Sequence, residues 1–355
     1  MSQIAEISRA KCITCVDVAR LAGVTKASVS RVLNNNGSVS EATRDRVLSA
    51  VKSLNYRPSH AARILSRRQH ETIGLISEIE SGALSYGAML VQGVSMAVTE
   101  NGYRLALSAV HWNSTAEDIK NLPAIKTVSI DGVIVDAHML NGDYESVMNE
   151  LGVPYVFINP KSIKNYNTVM PDDVLVAKNA TEYLLSRGHI RIGYIPCVET
   201  EHCSQSNRIF GYMKAMANAT LASLPLFEIP KAYKNTEYAK MALPSEDAVQ
   251  GLHEYIKRHK CTGLVVYGSN EATWLEAALY KIGVCIPQDI SIIACDYDYV
   301  MGLLPVPITS YRLDRREMGK MAVDMLRRRI NERANIPSIF VTGSLEDGKS
   351  VANVK

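Results

Sequence analysis

The residues best placed to do chemistry lie near the start of the chain. Lys26, Ala27, Ser30, Arg31 and Asn34 recur at spacings that share one face of a helix. Presented to a DNA groove, Arg31 could grip a guanine edge with two donors. Lys26 could donate to guanine acceptors, and Ala27 could touch a thymine methyl. Thr14, Thr25, Ser30, Asn34, Ser40 and Thr43 carry groups that hydrogen-bond phosphates, which positions a protein without reading sequence. The local alternative for each hydroxyl is helix capping or plain exposure. The surroundings favour a polyanion. Residues 1–70 hold twelve Lys or Arg against four Asp or Glu, a net +8 in a 355-residue chain of +3, so the remainder is −5. A basic head on an acidic body is the footprint of a nucleic-acid-binding domain joined to a domain with another task.

Other chemistries find little support. There is no G-x-S-x-G, no glycine-rich phosphate cradle and no His/Cys ligand cluster. His111, His138 and His189 are isolated and read as surface or internally satisfied residues. Cys12 and Cys15 form a C-x-x-C, but no second Cys/His pair lies nearby to complete a zinc site. The seven cysteines are odd in number and irregular in spacing, which suits a reducing compartment. No apolar run is long enough to span a bilayer, and the first residues lack a basic-then-apolar signal pattern. The expectation is a cytoplasmic binding protein with no cofactor, no metal and no enzymatic activity.

The elements that carry those side chains begin with Thr14, which caps a helix over Cys15–Ala22 with Asp17 in its first turn. Val18, Leu21 and Ala22 give one apolar face, and Gly23 can take the left-handed conformation that ends a helix. Thr25 caps a second helix from Lys26 to about Leu33, with Val29, Val32 and Leu33 inward. Ser40 starts a third, carrying Val47, Leu48, Val51 and Leu54. A short helix, a glycine turn and a second capped helix make a helix-turn-helix, whose second helix enters the major groove.

The run T-x-x-D-V-A-R-L-A-G-V-T-K-A-S-V-S-R-V-L-N-N from Thr14 to Asn35 is similar to the head of the LacI family of bacterial regulators. The match continues through Val39-Ser40, Thr43-Arg44 and Leu54-Asn55-Tyr56-Arg57-Pro58, which adds Tyr56 to the phosphate contacts. After Pro58, the stretch Ser59-His-Ala-Ala-Arg-Ile-Leu65 resembles the family's hinge helix. The resemblance implies that two copies of this helix pair in the minor groove. Leu65 would be the wedge there, with Ser59 and Arg63 beside it.

From Thr72 onward apolar strands alternate with amphipathic helices, which indicates parallel sheets covered on both faces. About nine strands are expected, among them Leu224–Glu228 and Ser338–Val341, too many for one sheet and so suggesting two lobes. Segments such as Ile130–Val135, Arg187–Ile195, Asn207–Tyr212 and Ile286–Asp296 look like the family's two periplasmic-binding-protein-like lobes, joined by three crossing strands. The resemblance places a small-molecule effector in the cleft between them, at Asp172, Arg208, Asn270 and Asp296. These offer donors and acceptors suited to a polyhydroxy ligand. Capping and internal ion pairing are the local alternatives. The segment Ser77–Ser85 lacks the family's P-D-x-x-N-P-F, leaving Tyr86 to supply an aromatic wall, and Glu271 stands where Asp is usual.

The fold class expected is α/β: an N-terminal three-helix helix-turn-helix head and a periplasmic-binding-protein-like two-lobed α/β body. The head spans 1–58, ordered from about 13; hinge helix and linker span 59–71; the body spans 72–355. Lobe 1 takes about 72–170 and 313–332, and lobe 2 about 171–312 and 333–355. The function expected is a homodimeric regulator, a repressor on family grounds, of a pseudo-palindromic operator in double-stranded DNA. A small effector, a sugar or sugar derivative, would control it, with the sign of control open. The alternatives are a nucleobase or other corepressor, and a solute-binding protein with no genetic role.

Overall fold

The computed structural model describes residues 13–33, 39–56, 70–78, 84–111, 114–127, 129–137, 144–197, 202–228, 244–297 and 306–354. The chain divides into two compact units, Met1–His70 and Glu71–Lys355.

The first unit holds α1 (Cys15–Ala22), α2 (Lys26–Leu33) and α3 (Glu41–Ser53). The start of α1 is tied by the Thr14 amide and hydroxyl, which both donate to the Asp17 carboxylate at 2.9 and 2.7 Å. Gly23 closes the helix at φ 64°, a left-handed conformation that costs a residue with a Cβ more. The Thr25 hydroxyl then accepts from the Ser28 amide at 3.2 Å and caps α2. Val18, Ala19, Ala22, Val29, Val32, Val47, Ala50 and Tyr56 meet as one core.

The second unit is two parallel sheets. In lobe 1, β1 (Thr72–Glu78), β2 (Arg104–Val110), β3 (Gly132–Asp136), β4 (Tyr155–Ile158), β5 (Thr168–Pro171) and β10 (Ile339–Val341) lie in the order β10-β5-β4-β3-β1-β2. In lobe 2, β6 (Ile192–Ile195), β7 (Gly263–Val266), β8 (Ser291–Ala294), β9 (Thr309–Arg312) and β11 (Ser344–Glu346) lie in the order β11-β9-β8-β7-β6. Among these strands the β11–β9 pairing is antiparallel and the others are parallel. Both faces of each sheet are buried, and the strands alternate between them. Ile134 joins one core while Val133 and Val135 join the other. Val265 and Ile293 likewise oppose Leu264 and Ile292.

The helices that cover lobe 1 include α4 (Leu84–Glu100), α5 (Ala116–Lys120), α6 (Pro123–Lys126), α7 (Tyr144–Leu151) and α12 (Arg315–Glu332). Lobe 2 carries α8 (Asp173–Ser186), α9 (Cys203–Asn218), α10 (Glu246–His259) and α11 (Ser269–Lys281). Gly93 and Gly319 bring α4 and α12 into close contact. A Cβ on Gly319 would sit 2.7 Å from the Leu90 carbonyl oxygen and 2.8 Å from the Val94 nitrogen.

Two expectations are corrected. Leu224–Glu228 is not a strand. Its backbone is satisfied by tyrosines instead: the Leu224 amide donates to the Tyr212 hydroxyl, and the Tyr255 hydroxyl donates to the Pro225 carbonyl. Pro225 also removes a ladder donor. The lobe 2 segment expected from residue 333 begins later, because Ile339–Val341 pairs in parallel with β5 in the lobe 1 sheet. The chain therefore crosses between lobes at Pro171–Asp173, at Leu313–Arg315 and at Thr342–Gly343. Strands β5, β9 and β10 run into these crossings, so the carboxyl ends of the parallel strands in both sheets face the junction.

Candidate functional site

In the head, α2 presents the face expected of a groove-reading helix. Lys26, Ala27, Ser30 and Arg31 are all exposed, while Val29 and Val32 beneath them are buried. Neither Lys26 nor Arg31 is held in an ion pair among the described residues, so both cations are available to a polyanion. Some of the expected phosphate contacts have local partners. The Thr14 hydroxyl is bonded to Asp17, Thr25 caps α2, and the Ser40 hydroxyl donates to Thr43 at 2.9 Å. Ser30 is exposed. Tyr56 is a core residue, 8 % exposed, rather than a side chain displayed to the backbone. Asn34, Ser59, Arg63 and Leu65 lie outside the described residues, as does His138.

In the body, the carboxyl ends of the lobe 2 strands bring a polar group together at the junction. Arg208, on α9, is 5 % exposed, and its Nε donates to the Asp173 carboxylate at 2.7 Å. Its Nη1 donates to the Tyr267 carbonyl, and its guanidinium lies 4.3 Å from the centre of the Tyr267 ring. Its Nη2 makes no hydrogen bond among the described residues, so two directed bonds and a ring fix a guanidinium that still has donors to offer. Burial by itself opposes the Arg208 charge. The Asp173 carboxylate, with smaller contributions from Tyr267, Cys295 and Asp296, outweighs that and holds the group protonated well above the usual range. Burial also pushes the Tyr267 hydroxyl well above its ordinary value, so it stays a neutral donor.

Gly268 follows Tyr267 and leaves the floor open. A Cβ there would lie 3.6 Å from the Asp296 carbonyl oxygen, 3.6 Å from Glu271 Oε2 and 3.9 Å from Arg208 Nη1. Arg208, Glu271 and Asp296 therefore surround one point. Asn270, partly exposed in the first turn of α11, has an amide with no hydrogen-bond partner among the described residues. Asp296, beyond β8, is bound by both terminal nitrogens of Arg315 and accepts the Leu313 amide at 3.3 Å. Arg315 opens α12, so this buried pair joins the lobe 2 floor to a lobe 1 helix.

The expected effector residues thus divide. Arg208 and Asp296 converge, with Asn270 two residues after Gly268 on α11. Asp172 takes the local option: its carboxylate accepts from the Leu175 amide at 3.0 Å and caps α8. Its neighbour Asp173, which sequence reasoning passed over, takes the inward position. The doubled acid at a strand-to-helix junction was the available signal. Tyr86 falls within α4, with its side chain outside the described atoms. Arg315, Tyr267 and Gly268 were also missed, because only folding brings three distant segments to one point. In lobe 1, the Ser77 hydroxyl donates to the buried Asp136 carboxylate at 2.9 Å at the same carboxyl edge. His189 is satisfied internally by Thr262 Oγ1 and the Ala352 carbonyl, both at 3.0 Å, and burial lowers its pKa. Among the described residues no three His, Cys, Asp or Glu groups could hold a metal ion, and no helix is long and apolar enough to cross a membrane.

Known proteins share both parts. Residues 14–59 match the bacterial regulatory proteins of the lacI family, and residues 181–351 match a periplasmic binding protein-like domain. The ribose operon repressor of Escherichia coli (strain K12) is 30% identical over 325 residues, 90% of this chain and 93% of that protein. The chain belongs to the lacI family. The HTH-type transcriptional repressor PurR of Haemophilus influenzae is 28% identical over 350 residues, 96% of this chain and 99% of that protein. The lac repressor dimer bound to operator and the anti-inducer ONPF superposes with a TM-score of 0.75 at 22% identity, covering 96% of this chain and all (100%) of that one. A lacI-family regulator from Enterococcus faecium with bound ribose gives a TM-score of 0.60 at 21% identity, covering 80% of this chain and 100% of that one. At these identities the two structures show the shared fold. As a lacI-family protein, the chain is a DNA-binding transcription regulator built from a helix-turn-helix head and a two-lobed α/β body.

Proposed function

We propose that this lacI-family regulator represses transcription as a homodimer. Its two α2 helices read the half-sites of a pseudo-palindromic operator, and a sugar-class effector in the inter-lobe cleft sets its affinity. The observation that carries the DNA part is the exposed face of α2. Lys26, Ala27 and Arg31 share it, with no competing ion pair among the described residues, over a buried Val29 and Val32. In this reading Arg31 and Lys26 contact guanines and Ala27 a thymine methyl. Thr25, Ser30 and Thr43 contact phosphates. Leu65, flanked by Ser59 and Arg63, acts in the minor groove. Two-fold protein symmetry then matches two-fold operator symmetry.

The effector part is supported by Arg208 Nη2, at the junction, and the Asn270 amide, in the first turn of α11, neither of which has a hydrogen-bond partner among the described residues. Donors and acceptors in alternation suit vicinal hydroxyls. The ribose operon relative and the ribose-bound neighbour favour a pentose. The similarity to PurR keeps a nucleobase corepressor as the second reading. The role is one of binding rather than catalysis, exerted on chromosomal DNA and hence in the cytoplasm.

The test is a mobility-shift titration of the full chain on the DNA upstream of its own gene, with D-ribose, other sugars and hypoxanthine added in turn. A specific shift abolished by a sugar establishes an induced repressor. A shift strengthened by a nucleobase establishes the second reading. A specific shift that no compound alters removes the cleft assignment and leaves the DNA role. Equal binding to random DNA refutes base reading by α2.

A further inference from the structure

The first turn of α9 belongs to lobe 2, yet its partners come from lobe 1. The Cys203 amide is one of the helix-start donors that no intrahelical carbonyl can reach. It donates to the Lys161 carbonyl at 2.9 Å, and the Cys203 thiol points at the Pro160 carbonyl, 3.7 Å away. Both acceptors lie in the segment that follows β4 of lobe 1. Asn159 introduces that segment at φ 48°, a left-handed conformation that Asn tolerates better than most residues.

His202 completes the contact. Its Nδ1 accepts from the Ser204 amide at 3.1 Å, which makes it the cap of α9. A ring nitrogen that accepts carries no proton, so in the neutral imidazole the hydrogen is on Nε2. Nε2 lies 3.2 Å from the Asn159 carbonyl of lobe 1 and donates to it. One rigid ring therefore terminates a lobe 2 helix on one edge and reaches lobe 1 on the other.

We propose that His202 is a positioning residue of the effector response. It latches the first turn of α9 onto the 159–161 carbonyls and biases the ligand-free body toward the closed arrangement of its lobes. This rests on the reading of the junction as the effector site. Arg208 lies on the same helix, so the latch also sets where its guanidinium stands relative to lobe 1. Opening the cleft transfers the Cys203 amide and the Asn159 and Lys161 carbonyls to water. The net worth of each such bond is modest, which suits a contact that must break and re-form. Losing the latch lowers the closed population, and with it the apparent affinity for any ligand that needs the closed cleft.

Hydrogen exchange of the ligand-free full chain, read at single-amide resolution, tests this without reference to DNA. Asn is a good helix cap but too short to reach lobe 1. In His202→Asn the Cys203 amide is expected to exchange about three- to ten-fold faster, as loss of one ordinary hydrogen bond allows. The Ser204 amide and the thermal midpoint should stay as in the parent. His202→Gln keeps a donor of similar reach but caps poorly, so there the Ser204 amide should exchange faster while Cys203 stays protected. An unchanged Cys203 amide in His202→Asn overturns the latch. Equal acceleration at Cys203 and Ser204 in His202→Asn also overturns it, by reducing His202 to a cap. A failure here leaves the operator-binding reading untouched, since neither amide reports on DNA.

Discussion

Replacing Arg208 by Met removes a guanidinium but keeps most of the side chain's volume. What it leaves behind decides the outcome. Asp173 is 1 % exposed, Arg208 Nε is the donor to its Oδ1, and its Oδ2 has no hydrogen-bond partner among the described residues. The variant therefore strands a carboxylate in the interior. Breaking a buried ion pair from one side costs about 3–5 kcal/mol. For a body unit of residues 71–355, whose unfolding entropy is about 0.6 kcal/mol/K, that lowers the thermal midpoint by about 5–8 °C. Removing the charge as well should relieve most of this. Arg208→Met with Asp173→Asn is expected within about 2 kcal/mol of the parent, because replacing a whole buried pair is often close to neutral. Asp173→Asn alone should cost less than Arg208→Met. The stranded guanidinium keeps its bond to the Tyr267 carbonyl and its stacking on the Tyr267 ring. The assay is thermal unfolding of the four full-length proteins followed by circular dichroism at one protein concentration. If Arg208→Met costs under about 1 kcal/mol, or if Asp173→Asn adds to its cost rather than offsetting it, the two groups are not the coupled buried pair described here.

Three further outcomes are expected. Gly268→Leu places a side chain at ordinary contact distance from Arg208, Glu271 and Asp296, so the fold should persist while effector affinity measured by calorimetry falls at least about ten-fold, roughly 1.4 kcal/mol; undiminished affinity would move the site elsewhere. Gly319→Ala drives a Cβ against backbone atoms of α4 that cannot yield, and should cost about 1–3 kcal/mol in urea unfolding, whereas an unchanged midpoint would mean the helices are not packed this closely. Glu276 lies on the buried face of α11 with Oε2 unpartnered among the described residues, and desolvation pushes its carboxyl from the ordinary 4.5 up to about 7. Its contribution to stability is therefore whole below about 4.5 and lost as pH rises through about 7. Glu276→Gln should stabilise the protein at pH 8, by at most about 3 kcal/mol. The gain should vanish at pH 4.5, and equal effects at both pH values would refute the burial argument.

The head was legible because its signals are local. Thr14, Gly23 and Thr25 delimit two helices through bonds spanning three or four residues, and Val18, Val29 and Val47 announce the inward faces by their spacing. The central buried strands of the body were legible for a related reason: Gly132–Asp136 and Gly263–Val266 are covered on both faces and so are apolar but for the terminal Asp136. The strands that escaped, Thr168–Pro171, Thr309–Arg312 and Ser344–Glu346, are three or four residues long and each carries polar residues or a proline that breaks an apolar run. Neighbours supply their pairing, not composition. Leu224–Glu228 failed in the opposite sense, since an apolar run can be extended without entering a ladder when tyrosine hydroxyls take its backbone groups.

The same division holds for the candidate site. Motif and charge alone pointed to Lys26, Ala27 and Arg31 as one exposed face, because one helix positions all three. The family resemblance named Arg208, Asn270 and Asp296, each at a recognisable strand end or helix start. The partners those residues take lie as far as 59 residues away along the chain. Only the folded chain shows that Asp173 rather than Asp172 faces Arg208. Only it shows that Asp296 is spanned by Arg315 from the other lobe, and that His202 reaches the carbonyl of Asn159. Side-chain identity is written in the sequence, but the pairing of buried charges depends on which groups lose their water together, and tertiary structure decides that.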